Sequence, residues 1–333
     1  VGYSGEANFF WKAGNHYYIN LKVTDSQGNS SVDVAKVIVL DHLDQGVQSL
    51  DGYEANEFGG ALITGDTENH LGSSVSEAGD INGDGYDDYL LSSTSGASDA
   101  GVTYLIYGQQ QLWGSPITEE TILSGQVAGA KFVGQASGDF AGSVVSNAGD
   151  VNGDGLEDIL LGAPRTYGTQ GESYLIYGSA SHSGGSFDLS SLNGSNGYRI
   201  RGTSTAYRIG QDVAPAGDFN ADGYSDFLLQ SSTDAHLIYG SPDSISGGLL
   251  DIDVNGYNSH IMTDGSNGFS ITRSVYYPIT NAAPLGDVNG DHVDDIILST
   301  AEGSYVLYGS SGFVDSDASF NLYADLNPAG LPS

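Results

Sequence analysis

Apolar positions along the chain come in short runs, not at helical spacing. Tyr89-Leu90-Leu91, Ile159-Leu160-Leu161, Phe227-Leu228-Leu229 and Ile296-Ile297-Leu298 each stand among glycines and polar residues. Such runs are too short for helices and read as strands covered on both faces. Each is followed by a second run, Tyr104-Leu-Ile-Tyr-Gly108, Tyr174-Leu-Ile-Tyr-Gly178, His236-Leu-Ile-Tyr-Gly240 and Tyr305-Val-Leu-Tyr-Gly309. Each is preceded by a segment of small residues, as at 73–78 and 143–148. Three strands per unit are visible, with room for a fourth. Residues 1–40 differ: alternating segments at 18–25 and 32–40, separated by a turn at 26–29, predict a hairpin.

A polar loop joins the first two strands of every unit. Gly79-Asp-Ile-Asn-Gly-Asp-Gly-Tyr-Asp-Asp88, Gly149-Asp-Val-Asn-Gly-Asp-Gly-Leu-Glu-Asp158, Gly217-Asp-Phe-Asn-Ala-Asp-Gly-Tyr-Ser-Asp226 and Gly286-Asp-Val-Asn-Gly-Asp-His-Val-Asp-Asp295 share one template. Their first aspartates are 70, 68 and 69 residues apart. A small antiparallel sheet repeated at a fixed period predicts an all-β fold, a β-propeller whose blades bury both faces against their neighbours. Phe320-Asn-Leu-Tyr echoes Phe187-Asp-Leu-Ser, which predicts the start of a fifth repeat. Either four blades close with this segment as a clasp, or the ring continues past Ser333. The expected organisation is 1–40 as one segment, 41–57 as a linker and 58–333 as the propeller.

Composition narrows the function. The 333 residues carry 9 Lys+Arg against 42 Asp+Glu, a net charge of −33. Phosphate backbones are bound by neutralising them with Lys and Arg, so no nucleic-acid partner is expected. No apolar run is long enough to cross a membrane, so no membrane insertion is expected. Without cysteine there is no disulfide, zinc thiolate or thiol nucleophile. Val1 opens neither a leader nor a natural start, and predicts a piece of something longer.

The loops carry the excess acid in a fixed order. Oxygen side chains stand at positions 1, 3, 5 and 9: Asp80, Asn82, Asp84, Asp88; Asp150, Asn152, Asp154, Asp158; Asp218, Asn220, Asp222, Asp226; Asp287, Asn289, Asp291, Asp295. Three carboxylates within nine residues repel one another unless a cation sits among them. Hard oxygen donors, completed by the position-7 carbonyls of Tyr86, Leu156, Tyr224 and Val293, suit Ca²⁺. Glycine at position 6 (Gly85, Gly155, Gly223) allows the sharp turn, whereas His292 stands there in the fourth loop. About four Ca²⁺ ions are therefore expected at 80–88, 150–158, 218–226 and 287–295, the fourth weakest. Asx-type turns without metal are the alternative, and four copies in phase weigh against it. Leu91, Leu161, Leu229 and Leu298 fill position 12, where an EF-hand needs glutamate, so these are hairpin loops.

These residues resemble a known family. Phe140-Ala-Gly142, the loop at 150–158 and Gly162-Ala-Pro164 in the second repeat look like the FG-GAP repeat of integrin alpha-subunit propellers and many bacterial surface proteins. The first repeat keeps Leu71-Gly72 and the third Ile209-Gly210, both without Gly-Ala-Pro, and the fourth diverges most. The resemblance implies calcium in loops on one propeller face and ligand binding by loops on the opposite face. The end of residues 1–40 also resembles the closing strands of cadherin-like or polycystic-kidney-disease-like immunoglobulin modules.

No catalytic constellation is evident. The seven histidines have neither His-Glu-x-x-His nor His-x-His spacing, and no Gly-x-Ser-x-Gly elbow occurs, so a non-enzyme is expected. Tyr107, Tyr177, Tyr239 and Tyr308 recur in phase and are expected between blades. Trp113, Tyr167, Tyr207, Tyr276 and Tyr277 lie out of phase in connecting segments, where their faces suit a sugar or a peptide side chain. Arg165, Arg199, Arg201 and Arg208 are four of only nine basic residues, available to an acidic group or to nearby carboxylates. The expectation is a calcium-stabilised adhesion module, secreted or on a bacterial cell surface, with a glycan or protein partner. Alternatives are a surface-filament subunit or spacer assembling through the N-terminal hairpin, and a non-catalytic propeller of an extracellular polysaccharide-degrading enzyme.

Overall fold

The computed structural model describes residues 4–12, 16–24, 30–40, 63–64, 71–110, 117–166, 170–180, 185–203, 208–243, 245–252, 268–272, 278–311 and 319–321. The linker expected at 41–57 lies outside them. Ser4–Lys12, His16–Thr24 and Ser30–Leu40 form an antiparallel meander, so the hairpin expected near the N-terminus gains a preceding strand.

Four repeats fold as four blades. Blade one has the strands Val75–Gly79, Asp88–Ser93, Val102–Ile106 and Gly129–Val133. Blade two has Val144–Gly149, Asp158–Ala163, Glu172–Ile176 and Gly197–Gly202. Blade three has Asp212–Gly217, Asp226–Gln230, Ala235–Ile238 and Gly268–Thr272. Blade four has Ile279–Gly286, Asp295–Thr300 and Gly303–Leu307. Successive strands within a blade are antiparallel, and the first strands of consecutive blades lie side by side.

Among the described residues, blades one to three each also receive a strand from the repeat that follows. Between its third and fourth strands, blade two sends Gly185–Asp188 to lie parallel to Gly129–Val133 of blade one. Blade three likewise sends Leu249–Ile252 to Gly197–Gly202, and Ser319–Asn321 joins Gly268–Thr272. Ile117–Thr118 of the first repeat pairs with Ile63–Thr64, which runs parallel to Ser30–Leu40. Phe187 and Phe320 thus occupy equivalent crossover strands. Phe187 falls inside a repeat, between the third and fourth strands of blade two, and Phe320 follows the third strand of blade four, so neither stands where a first blade strand begins.

Alternation along the second strands divides the core. Ile159 and Leu161 pack with Ile81, Leu90 and Leu105 of blade one, while Leu160 joins Val213, Phe227 and Leu229 of blade three. Ile296 and Leu298 meet Phe219, Leu228 and Phe269 in the same way. Side chains of a strand point alternately to its two faces, and a neighbouring blade covers each face, so no polar residue interrupts the run.

Candidate functional site

All four aspartate loops join first to second strands and stand at one end of the blades. Position 1 organises each turn: Asp150 Oδ1 accepts from the N–H groups of Gly153 (2.7 Å) and Asp154 (3.0 Å), and Oδ2 from Gly155 (2.9 Å). Asn152 Oδ1 then accepts from Asp154 N–H, and Asp154 Oδ1 from Leu156 N–H. The other loops repeat this, with Asp80, Asp218 and Asp287 in the leading role. Positions 1, 3 and 5 accept these bonds through side-chain oxygens, and Asn152, Asn220 and Asn289 also donate from Nδ2 to the position-5 aspartate. Among the described residues, no three His, Asp or Glu side chains are gathered as a metal cage.

The position-9 aspartate does something the spacing did not foretell. Asp158 is fully buried; its Oδ2 accepts from Val151 N–H (2.9 Å) and its Oδ1 from Gly178 N–H (2.8 Å). Asp88, Asp226 and Asp295 make the same clasp through Gly108, Gly240 and Gly309. Each therefore ties the loop to the end of the third strand. A Cβ at Gly178 would lie 2.5 Å from the Glu157 carbonyl oxygen, which explains the glycine after each Tyr-Leu-Ile-Tyr run. Burial, opposed by these N–H groups and reinforced by the charges of Asp84 and Asp80, pushes Asp88 up to about 7. Asp158 and Asp226 rise to about 8 for the same reasons.

Consecutive loops are joined directly. Ser225 N–H donates to Asp150 O (3.0 Å), while Ser179, Ser241 and Ser310 N–H donate to Ile81 O, Val151 O and Phe219 O. Tyr224 packs over Gly153 and Leu156 over Gly83, so the position-7 side chain of one loop covers the loop before it. The fourth loop carries its strain as expected: His292 has φ +70°, and its Nδ1 lies 3.8 Å from Asp287 Oδ2. Ala221, at position 4 of the third loop, also has positive φ.

The opposite end holds a cavity of about 680 Å³. Phe140, Pro164, Arg165, Arg208, Asp212 and Gln230 line it, all beside the starts of first strands or the ends of second strands. Phe140 and Arg208 occupy the same template position, two residues before Gly142 and Gly210, and both have φ +56°. Arg165 lies over the Phe140 ring at 4.8 Å from its centroid. The arginines grouped in the sequence therefore divide. Arg201 pairs with Asp251 (2.7 Å) and Arg199 faces Glu172 (3.9 Å), whereas Arg165 and Arg208 meet at the cavity. Burial raises Asp212, against the pull of Val213 N–H. Trp113, Tyr167, Tyr207, Tyr276 and Tyr277, expected as ligand contacts, lie outside the described residues.

Comparison with known proteins agrees with this geometry. The FG-GAP repeat matches residues 141–176, which run from the glycine turn through the second aspartate loop to the third strand of blade two. The chain is 26% identical to human Integrin alpha-8 over 272 residues, 77% of this chain and 22% of that protein. It is 30% identical to mouse Integrin alpha-M over 104 residues, 30% of this chain and 8% of that one. It is also 29% identical to a Dictyostelium discoideum protein named Phosphatidylinositol-glycan-specific phospholipase D over 207 residues, 54% of this chain and 21% of that one. The chain spans at most about a fifth of the length of these curated relatives. The repeated sheets have the strand order of β-propeller blades, one of which carries the FG-GAP repeat match, and the chain is similar to integrin alpha subunits. Among the described residues, no helix is long and apolar enough to cross a membrane.

Proposed function

We propose that this chain is an extracellular, calcium-stabilised binding module of adhesion type, which recognises a glycan or protein through the propeller end opposite its aspartate loops. One observation carries the reading: four loops of oxygen donors stand at one end, while the cavity with two arginines opens at the other. The donor set fits Ca²⁺ in kind, since it is hard and anionic, and the position-9 carboxylates are buried beside two more carboxylates. Asp80, Asn82, Asp84 and Asp88 and their counterparts would hold the ion, with the carbonyls of Tyr86, Leu156, Tyr224 and Val293. Calcium that binds only the folded loops stabilises the fold by mass action. The module has no catalytic role in this reading.

The test is a screen of the chain against glycan and extracellular-protein arrays in Ca²⁺ and again in chelator, with thermal unfolding followed in both. Calcium-dependent binding to a defined class, and a midpoint lowered by several degrees in chelator, are expected. An unchanged midpoint would remove calcium. Silence in both conditions from folded protein would favour a filament subunit or spacer. That second reading has one supporting observation: Ser4–Lys12 is the edge strand of the N-terminal sheet, and Ser30–Leu40 is paired on both sides. Strand addition to a second copy would therefore use the Ser4–Lys12 edge.

A further inference from the structure

Five of the nine basic residues have described side chains, and three face carboxylates: Lys131 with Glu119, Arg199 with Glu172 and Arg201 with Asp251. Among the described residues, Arg165 and Arg208 make no such pair, although the molecule carries a large excess of acid. Both are exposed, and both line the same cavity from consecutive repeats. The Phe140 ring lies beneath the Arg165 guanidinium, and an arginine so placed keeps the N–H groups at its edge for a planar anion. Arg208 replaces the aromatic residue of the repeat template at a left-handed backbone position.

A second group in the cavity narrows the ligand. Gln230 is 8% exposed, and its Nε2 donates to Ile279 O at 3.0 Å. That bond fixes the amide orientation and leaves Oε1 buried without a donor. A carboxylate only accepts hydrogen bonds and cannot satisfy Oε1, whereas a hydroxyl can. Asp212, which also lines the cavity, is a second acceptor and disfavours a multiply charged group such as a phosphate. The complement is a molecule with one carboxylate and adjacent hydroxyls. An acidic peptide side chain carries the first without the second, and a sugar acid carries both. The cavity volume accommodates one or two sugar rings.

We infer that the cavity binds the carboxylate-bearing sugar of an acidic glycan, with Arg165 and Arg208 at the carboxylate and Gln230 accepting from a hydroxyl. The inference rests on the binding-module reading and names the ligand class for that same end of the propeller. Titration calorimetry of the intact chain in constant Ca²⁺ tests it, with oligogalacturonate, the same oligosaccharide after carboxyl reduction, and a polyglutamate peptide. Oligogalacturonate is expected to bind at least about tenfold more tightly than either control. Arg165→Gln and Arg208→Asn should each weaken it at least about tenfold, asparagine being chosen because it tolerates positive φ. Arg201→Gln should leave it unchanged. The two oligosaccharides are compared on the unaltered protein, so the result does not depend on any variant folding.

Equal binding of acidic and reduced oligosaccharide would overturn the assignment. So would acidic binding indifferent to both cavity substitutions, the result expected if uronate bridges to Ca²⁺ at the loops. Preference for polyglutamate with the same arginine dependence would replace the sugar with a peptide. A different array ligand, bound equally by both arginine variants, would leave the binding module standing and remove this site. Silence towards every ligand would remove both.

Discussion

His292 and Ala221 hold a backbone conformation that L-residues adopt at a cost of roughly 1 kcal/mol. Neither side chain is needed for the hydrogen bonds that shape its loop, because those come from backbone N–H groups. His292→Gly should therefore raise unfolding stability by about 0.5–1 kcal/mol, read from urea midpoints in chelator, and should increase calcium uptake by the fourth loop. His236 makes the opposite kind of prediction. Its ring is fully buried where the other repeats have tyrosine, and Nδ1 lies 2.8 Å from Ser270 Oγ. Burial, opposed by the charge of Asp234, pushes its pKa down to about 4. The unfolded chain binds a proton near 6.5 and the folded one does not, so the stability from this residue is complete above pH 6.5 and is lost as pH falls towards 4. The loss amounts to about 3 kcal/mol. Urea unfolding of the wild type and His236→Gln between pH 7 and 4 should show a steeper decline for the wild type; parallel curves would reject the assignment.

Between strands, the repeat motifs act through backbone contacts. Gly72 N–H donates to Ser92 O at 2.7 Å, Gly142 N–H to Gly162 O at 2.9 Å and Gly210 N–H to Gln230 O at 3.1 Å, so the glycine turn caps the end of the second strand in the first three repeats. A Cβ on Gly162 would lie 2.3 Å from Gly210 O, which makes glycine necessary at the head of Gly-Ala-Pro in the second repeat. Gly162→Ala should cost about 2–3 kcal/mol, measured by denaturant unfolding. Blade strands and loop positions were legible in the sequence because apolar runs and aspartate spacing are local and repeat four times. The crossover strands were not, since Gly185–Asp188 has only a half-buried alternating pattern and the partner of Gly185, Ala130, is 55 residues earlier. The double duty of Asp158 was hidden for a similar reason: its second partner, Gly178, is 20 residues away. The arginine cavity was half legible. Four arginines stood out against an acidic background, but the template position shared by Phe140 and Arg208 acquires meaning only when consecutive repeats are placed side by side.

Blades one to three bury what blade four exposes. Ile81, Val151 and Phe219 follow the first loop aspartate and are covered by the next blade, while Val288 is 52% exposed. Tyr107 and Tyr308 are likewise equivalent, yet 4% and 55% exposed, so the expectation that all four phased tyrosines lie between blades holds for three. Tyr107→Ser should cost about 3–5 kcal/mol and Tyr308→Ser less than about 0.5 kcal/mol. Similar costs at the two positions, by thermal or urea unfolding, would show that the fourth face is covered in solution. The crossover strands have a further consequence for the adhesion role proposed above. Tension passed from one repeat to the next must slide two parallel strands lengthwise, so their hydrogen bonds share the load and yield together. Blades joined only by flexible connections would peel apart one contact at a time, whereas here blades one to three are each stitched to the following repeat along the direction of pull.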